Sequence, residues 1–259
     1  MSFLGKSLQV ATFALAASLA GVASAAPILW VDDGRGNLGT VDVSTGSVNV
    51  IGNMGRVMTD IAFDPTGNLY GIDFGSLYSI NKTNGASTFI GNFGTSLNSL
   101  VFASDGTLFA ANTSLYTINV STGAATVVGN GGYAYNSSGD LAFIGNDLML
   151  SSCCGDSLVK LDKSTGVGSL VGNIGYGGVY GLASDNNVNL YGIAGTSVIS
   201  INTSTGAGSS PVNYAGQGLF DAYGSAFYKE SGAVPEPESL ALMGLGLIGL
   251  GFSRRKAKN

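Results

Sequence analysis

A repeat of about 40 residues runs through the middle of the chain and limits the fold more than any other feature. Its clearest mark is a turn of Thr or Asn followed by Gly, with the glycines 39, 38, 43 and 40 residues apart. The five turns are Thr45-Gly46, Asn84-Gly85, Thr122-Gly123, Thr165-Gly166 and Thr205-Gly206. A period of this size is typical of solenoids, propellers and arrays built by stacking one supersecondary unit on the next.

Each repeat contains four short strand candidates. In the second repeat they read DIAFD, NLYGID, SLYSIN and ASTFIG, rich in β-branched and aromatic residues. Asp-Gly, Pro-x-Gly and Thr-Gly sequences between them predict hairpin turns, because glycine adopts positive φ without strain. No long amphipathic helix is predicted between Ile28 and Tyr228. A unit of four antiparallel strands resembles one blade of a β-propeller.

The two ends of the repeat region are complementary. The chain enters at Ile28–Val31, which aligns with a second strand, and leaves at Ser225–Tyr228, which aligns with a first strand. Pairing of these ends predicts an all-β, five-bladed propeller over residues 26–232, with Trp30 close to Phe227 and no exposed edge where the ring closes. An open solenoid or two packed sheets are the alternatives.

The C-terminus has three parts: Pro235-Glu236-Pro237, an apolar run from Leu240 to Phe252, and a basic cluster containing Arg254 and Arg255. This order closely resembles the PEP-CTERM sorting signal of Gram-negative bacteria. The resemblance implies recognition and processing by an exosortase-type membrane enzyme. The apolar segment, about 22 Å long as a helix, is short for a hydrocarbon core of about 30 Å, so residues 233–259 predict a temporary transmembrane anchor. A simple C-terminal membrane tail is the alternative.

The N-terminus predicts export. Lys6 precedes an apolar core from Val10 to Val22, and Ala23-Ser24-Ala25 has the small-residue pattern of a cleavage site. Residues 1–25 are therefore expected to be a signal peptide cut after Ala25; a buried N-terminal helix is the alternative. With the tail, this predicts an inner-membrane intermediate, then a cell-surface or extracellular-matrix location.

Charge and composition exclude several functions. From Ala26 to Gly232 there are 6 Lys and Arg against 14 Asp and Glu, a net charge of 6 − 14 = −8. An acidic surface argues against binding nucleic acid. The chain has no histidine, which excludes a Ser-His-Asp triad and His-ligated metal sites. Gly34, Gly36 and Gly39 fit a dinucleotide-binding pattern, but a strand candidate follows where a helix is required, so no cofactor is predicted.

Cys153 and Cys154 are adjacent and are the only cysteines. Export would place them in an oxidising compartment. Adjacent Cα atoms lie about 3.8 Å apart, below the usual disulfide range, so a vicinal disulfide would be strained. A vicinal disulfide, an intermolecular link and free thiols all remain open.

Aspartates suggest an enzymatic alternative. Asp32, Asp33, Asp73, Asp156 and Asp221 are expected in inter-strand loops, where some could meet at one mouth of the ring. Five-bladed glycosidases use converging carboxylates of this kind. However, no Glu occurs between Ala26 and Lys229. A further set of aspartates recurs at the same hairpin of successive repeats and is explained by turn chemistry. That set is Asp64, Asp105, Asp147 and Asp185. A carboxylate and carbonyl loop could hold calcium, although no EF-hand pattern occurs.

Six tyrosines precede the first strands of later blades, and their rings could stack on sugars. They are Tyr133, Tyr135, Tyr176, Tyr180, Tyr214 and Tyr223. Recurrence at one level would give several equivalent sites, whereas packing between blades is the structural alternative. The sequence thus predicts an exported, non-enzymatic binding or structural module, with exopolysaccharide or another surface component as partner. A hydrolase or lyase that uses rim aspartates is the alternative.

Overall fold

The computed structural model describes residues 27–228, which form twenty strands and no helix. The strands, in chain order, are β1 (Ile28–Asp33), β2 (Asn37–Asp42), β3 (Val48–Asn53), β4 (Asp60–Phe63), β5 (Leu69–Ile72), β6 (Ser76–Ile80), β7 (Ser87–Asn92), β8 (Ser99–Phe102), β9 (Leu108–Ala111), β10 (Leu115–Ile118), β11 (Ala125–Gly129), β12 (Ser137–Ile144), β13 (Asp147–Ser152), β14 (Ser157–Leu161), β15 (Gly168–Asn173), β16 (Val179–Asp185), β17 (Asn189–Ala194), β18 (Ser197–Ile201), β19 (Gly208–Asn213) and β20 (Ala222–Phe227).

These strands make five antiparallel four-stranded sheets, the blades of a propeller. Blade 1 has the order β20-β1-β2-β3; blades 2 to 5 are β4–β7, β8–β11, β12–β15 and β16–β19. The first strands of neighbouring blades contact one another in a closed circuit from β4 through β8, β12, β16 and β20 back to β4. They are the inner strands of the ring. The predicted five-bladed all-β propeller is confirmed.

Ring closure also follows the prediction. Strand β20 pairs antiparallel with β1, placing Leu29 opposite Phe227 and Trp30 opposite Ala226. Phe227 is buried in an apolar cluster that joins blades 5 and 1. The two ends of the repeat region are therefore neighbours in one sheet.

The repeated Thr-Gly turn has a clear structural role. Each turn begins with Asp or Asn, whose side chain accepts hydrogen bonds from backbone amides of the turn, as Asp162 does from Ser164 and Thr165. The glycine that ends the turn has positive φ, 72° at Gly166. The same geometry recurs at the other four turns, so the repeat is a repeated turn cap.

A second repeated glycine explains how neighbouring blades fit together. A methyl group at Gly91, on the outer strand of blade 2, would lie 2.6 Å from the Thr122 carbonyl carbon in the turn of blade 3. Corresponding close approaches join the other blade pairs, and Gly46 meets the Asn213 carbonyl oxygen across the closure. Only a residue without Cβ permits this approach.

The core is a set of five apolar layers, one between each pair of neighbouring blades. The inner strands are almost wholly buried, whereas the outer strands alternate between exposed and half-buried residues. The blades are therefore held mainly by packing against each other. Within residues 27–228 no helix is long and apolar enough to cross a membrane. The predicted signal peptide and transmembrane segment lie outside the described residues.

Candidate functional site

The alternation of antiparallel strands separates the loops of the ring onto two faces. Loops between the second and third strands of each blade, and loops from one blade to the next, lie on one face, which we call the mouth face. The repeated hairpin turns lie on the opposite face. The mouth face therefore carries the loops that connect each blade to the next.

A depression of about 300 Å³ opens on the mouth face where the inner strands begin. Its lining comprises Thr59, Phe74, Asn98, Ser138, Gly139, Tyr180 and Tyr223. Phe74 is 61% exposed, Tyr180 41% and Tyr223 38%. Tyr180 and Tyr223 meet edge to face with ring centroids 6.0 Å apart. Three accessible aromatic rings thus surround one shallow site.

Local irregularities of the strands place the two tyrosines there. The β16–β17 register shifts between Val179 and Gly181, which leaves Tyr180 as an extra residue on its strand. The β20–β1 register shifts in the same way at Tyr223, between Ala222 and Gly224. Bulges of this kind redirect a side chain away from the regular alternation of the strand. No such shift occurs at the start of β4 or β8.

Three aspartates lie buried below this depression. Asp60 and Asp140 directly follow Thr59 and Gly139, and with Asp32 they are fully buried. Asp60 accepts hydrogen bonds from the amides of Ile61 and Leu100, so it links two blades. Asp140 does the same with Leu141 and Leu182, and it also accepts from Ser225. These carboxylates satisfy inner-strand amides that have no strand partner.

Burial and neighbouring carboxyl groups raise the pKa values of Asp60 and Asp32. Burial raises the pKa of Asp60 well above its usual value, and the adjacent Asp140, with which it hydrogen-bonds, raises it further. Burial likewise raises the pKa of Asp32, helped by the charge of Asp33. Neither carboxylate oxygen of Asp32 has a well-formed hydrogen bond; the nearby amides of Asp32 and Gly224 offset the rise only in part. Burial therefore favours the protonated state of Asp32 and Asp60.

The aspartates expected at the rim have different surroundings. The prediction that Asp32 and Asp33 lie in a loop was wrong: both are buried residues of β1. Asp33 accepts hydrogen bonds from the amides of Arg35, Asn37 and Phe220, so it caps the following turn.

The other three lie on the mouth face. Asp73 accepts a hydrogen bond from Tyr78 and pairs with Arg56 at 3.6 Å. Asp156 and Asp221 are half-buried and exposed, respectively. Within residues 27–228 neither of these two carboxylates accepts a hydrogen bond or joins an ion pair. They are the rim groups available to a ligand.

The six tyrosines divide between mouth and core. Tyr180 and Tyr223 line the depression. Tyr135 and Tyr214 are buried, and the Tyr135 hydroxyl donates to the Gly166 carbonyl oxygen. Tyr133 and Tyr176 pack against the apolar layers between blades. The packing alternative therefore applies to four of the tyrosines, whereas Tyr180 and Tyr223 are accessible at the mouth and sugar stacking stays a prediction for them.

Cys153 and Cys154 lie in the loop between β13 and β14, on the mouth face, as exposed free thiols. Partial burial raises the pKa of the Cys153 thiol, and the neighbouring Cys154 adds to this effect. A disulfide between them remains a prediction. In the described part of the chain, no group of three or more His, Cys, Asp or Glu side chains is arranged to hold a metal ion.

The sequence contains weak signals for the residues that were missed. Asp60 and Asp140 occupy the same position in their repeats as Ser99, Gly181 and Gly224, just before the apolar core of the inner strand. An aspartate at a position that is Ser or Gly in the other repeats is therefore the sequence signal for the buried carboxyl groups. Phe74 follows a second strand and has no aromatic counterpart at that position in the next repeat.

The C-terminal sequence indicates how the protein is sorted. Residues 233–256 match the PEP-CTERM protein-sorting motif. The chain carries a PEP-CTERM sorting signal. This motif includes Pro235, Glu236 and Pro237, and it implies an exported protein that is sorted by an exosortase. No curated protein is detectably similar to the chain.

Solved structures share the propeller fold. A nidogen/laminin complex is 12% identical, with a TM-score of 0.55, and the match covers 79% of this chain and 99% of that one. A symmetrical protein from work on de novo evolutionary emergence is 17% identical, with a TM-score of 0.51 and coverage of 75% and 96%. A Bacteroides thetaiotaomicron protein of unknown function is 14% identical, with a TM-score of 0.52 and coverage of 80% and 66%. At these identities the likeness shows the fold alone.

Proposed function

We propose that the propeller of this PEP-CTERM protein is a non-enzymatic binding module of the cell surface or extracellular matrix, and that its mouth binds extracellular polysaccharide. The observation that carries the proposal is the exposure of Phe74, Tyr180 and Tyr223 around one depression. Aromatic rings stack on the apolar faces of sugars, and tyrosine hydroxyls add polar contacts. A pocket of about 300 Å³ is at the small end of ligand sites, which suits a short stretch of a chain.

Two features favour binding over catalysis. Glycoside hydrolysis usually needs two carboxyl groups placed on either side of the scissile bond. Here Asp32 is fully buried, and Asp73 is engaged by Arg56 and Tyr78. Asp33 is fully buried as well, so Asp156 and Asp221 are the two aspartates considered for an enzyme that stay accessible and unengaged. Neither of them lines the depression, which supports binding at the aromatic rings over hydrolysis there.

A glycan array, read with and without calcium, tests this function. We expect retention of polysaccharide without soluble products, and we expect Tyr180→Ala and Tyr223→Ala to weaken it about tenfold each, since aromatic contacts contribute about 1 kcal/mol or more. Phe89→Ala is the matched control, because Phe89 is 53% exposed but lies on an outer strand. Release of soluble oligosaccharides would instead support the hydrolase or lyase alternative.

Sorting is tested separately. Changing Pro235, Glu236 and Pro237 to alanine should leave an unprocessed chain in the membrane fraction, whereas the unaltered protein should reach the surface or the medium. Unchanged size and destination of the variant would contradict a role for these three residues in exosortase recognition. This experiment leaves the propeller sequence untouched, so its result is independent of ligand binding.

A further inference from the structure

The rim of the mouth carries negative charge beside its aromatic rings. Asp73 is adjacent to Phe74 in the sequence, and Asp221 is two residues before Tyr223. Asp156 reaches the segment leading into Tyr180, since a methyl group at Gly177 would lie 3.8 Å from its carboxylate oxygen. Asp156 therefore lies beside the segment of Tyr180, and Asp73 and Asp221 lie on the mouth-face loops that contain Phe74 and lead into Tyr223.

Positive charge on the same face is turned away from the depression. Arg56 hydrogen-bonds the Tyr78 hydroxyl at 2.6 Å and pairs with Asp73. Arg35 lies over the Phe220 ring, 3.4 Å from its centroid. The two arginines and the three aspartates all lie on the rim, outside the lining of the depression. Because Arg56 compensates Asp73, the uncompensated carboxylates of the rim are those of Asp156 and Asp221.

Aromatic faces combined with carboxylates recognise a cation attached to a flat apolar body. The face of a tyrosine ring attracts an ammonium group by about 0.5–1 kcal/mol at an exposed site. A nearby carboxylate adds electrostatic attraction, and it repels a carboxylate on the ligand. A neutral sugar ring uses the aromatic surface but not the aspartates.

We propose that the mouth selects polysaccharide that carries free, protonated amino groups, and that Asp156 and Asp221 provide this selectivity. The inference rests on the proposed polysaccharide-binding function and names the chemical class of ligand for the same site. It predicts that acidic polymers of uronic acids are excluded, because the rim offers them no cation. It also predicts that the preference weakens as salt rises, since exposed charges are screened within about 8–10 Å.

Three hexasaccharides of equal length test the proposal at pH 6 with the full chain: all-glucosamine, all-N-acetylglucosamine and polyuronate. We expect the glucosamine hexamer to bind about tenfold more tightly than its N-acetylated form, and the polyuronate not to bind. The double variant Asp156→Asn/Asp221→Asn should reduce the tenfold preference to about threefold or less. Asp185→Asn, on the opposite face, is the matched control and should keep the full preference.

The outcomes separate the inference from the function on which it rests. Equal binding of the amino and N-acetyl hexamers, or an unchanged preference in the folded double variant, would overturn the amino-sugar inference while leaving polysaccharide binding intact. Failure of all three sugars to bind would overturn both. Hexalysine at the same concentrations completes the set: binding as tight as that of the glucosamine hexamer would show that the sugar is not required and would refute the proposal.

Discussion

Gly91 offers the sharpest test of how the blades are held together. A methyl group there would meet the backbone of Thr122 in the next blade, with the carbonyl carbon at only 2.6 Å. Carbon atoms in contact normally lie about 3.5–4.0 Å apart, so Gly91→Ala requires the two blades to separate by about 1 Å. The atoms in the way belong to a capped turn and cannot rotate aside. Overpacking usually costs about 1–3 kcal/mol, and we expect the upper end here.

The measurement is thermal unfolding of the full chain, followed by far-ultraviolet circular dichroism. For a domain of about 200 residues, 3 kcal/mol corresponds to a fall in Tm of about 6–12 °C. Gly75→Ala is the matched control, because Gly75 is exposed and its nearest atom would be an Asp73 oxygen at 3.9 Å. The control should be neutral or slightly stabilising, since alanine lowers the entropy of the unfolded chain. Equal shifts for the two variants would refute the role given to the repeated glycines.

Three further predictions concern the buried acid, the ring closure and the thiols. Asp32→Asn should stabilise the protein by about 1–3 kcal/mol at pH 8 and by less at pH 4. The pKa of Asp32 is raised in the folded state, so the stability of the unaltered protein falls as the pH rises from about 3.9 through that pKa. Equal gains at both pH values in denaturant titrations would contradict this reasoning. Phe227→Ala should lower the free energy of unfolding by about 3–5 kcal/mol, whereas Phe89→Ala, at an exposed position, should lower it by less than about 1 kcal/mol. Similar midpoints for the two variants in denaturant unfolding would disprove closure by β20. Changing Cys153 and Cys154 to serine should alter the free energy of unfolding by less than about 0.5 kcal/mol, because both side chains are exposed. A larger loss of stability would instead indicate a structural disulfide, provided that the mass of the unaltered protein is 2 Da below that expected for two free thiols.

The fold could be predicted because its determinants are local and repeated. A turn cap, a glycine at positive φ and short β-branched strands recur in each unit, and each acts within a few residues of itself. Ring closure could also be predicted, because Ile28–Val31 aligned with a second strand and therefore needed a first strand from the other end of the chain. Repetition gave the same observation five times.

The site was only partly predictable because its determinants are not local. Tyr180 reaches the mouth through a bulge, whereas Tyr214 is buried between blades 5 and 1, and their sequence surroundings do not distinguish them. Asp32 was expected in an inter-strand loop, but pairing with β2 and β20 extends the strand over it. In each case the outcome depends on contacts with a distant part of the chain.

The departure from symmetry at the mouth leads to a last prediction. Four inner strands carry an apolar residue at the same repeat position, namely Ile61, Leu100, Leu141 and Leu182. The residues two positions before these are Thr59, Asn98, Gly139 and Tyr180. The scaffold position is thus apolar in four blades and Ser225 in blade 1. The mouth position is Tyr in two neighbouring blades, at Tyr180 and Tyr223, and it differs in the other three. A ring with such a mouth presents one asymmetric site.

Calorimetric titration with a hexasaccharide that binds should therefore give one ligand for each chain. Five equivalent sites would require an aromatic side chain at the same level of every blade, yet the accessible rings of Phe74, Tyr180 and Tyr223 come from only three blades and surround one depression. A stoichiometry near five would contradict this geometry. Loss of all binding heat in the double variant Tyr180→Ala/Tyr223→Ala would place the single site at the mouth, because both rings meet there at 6.0 Å.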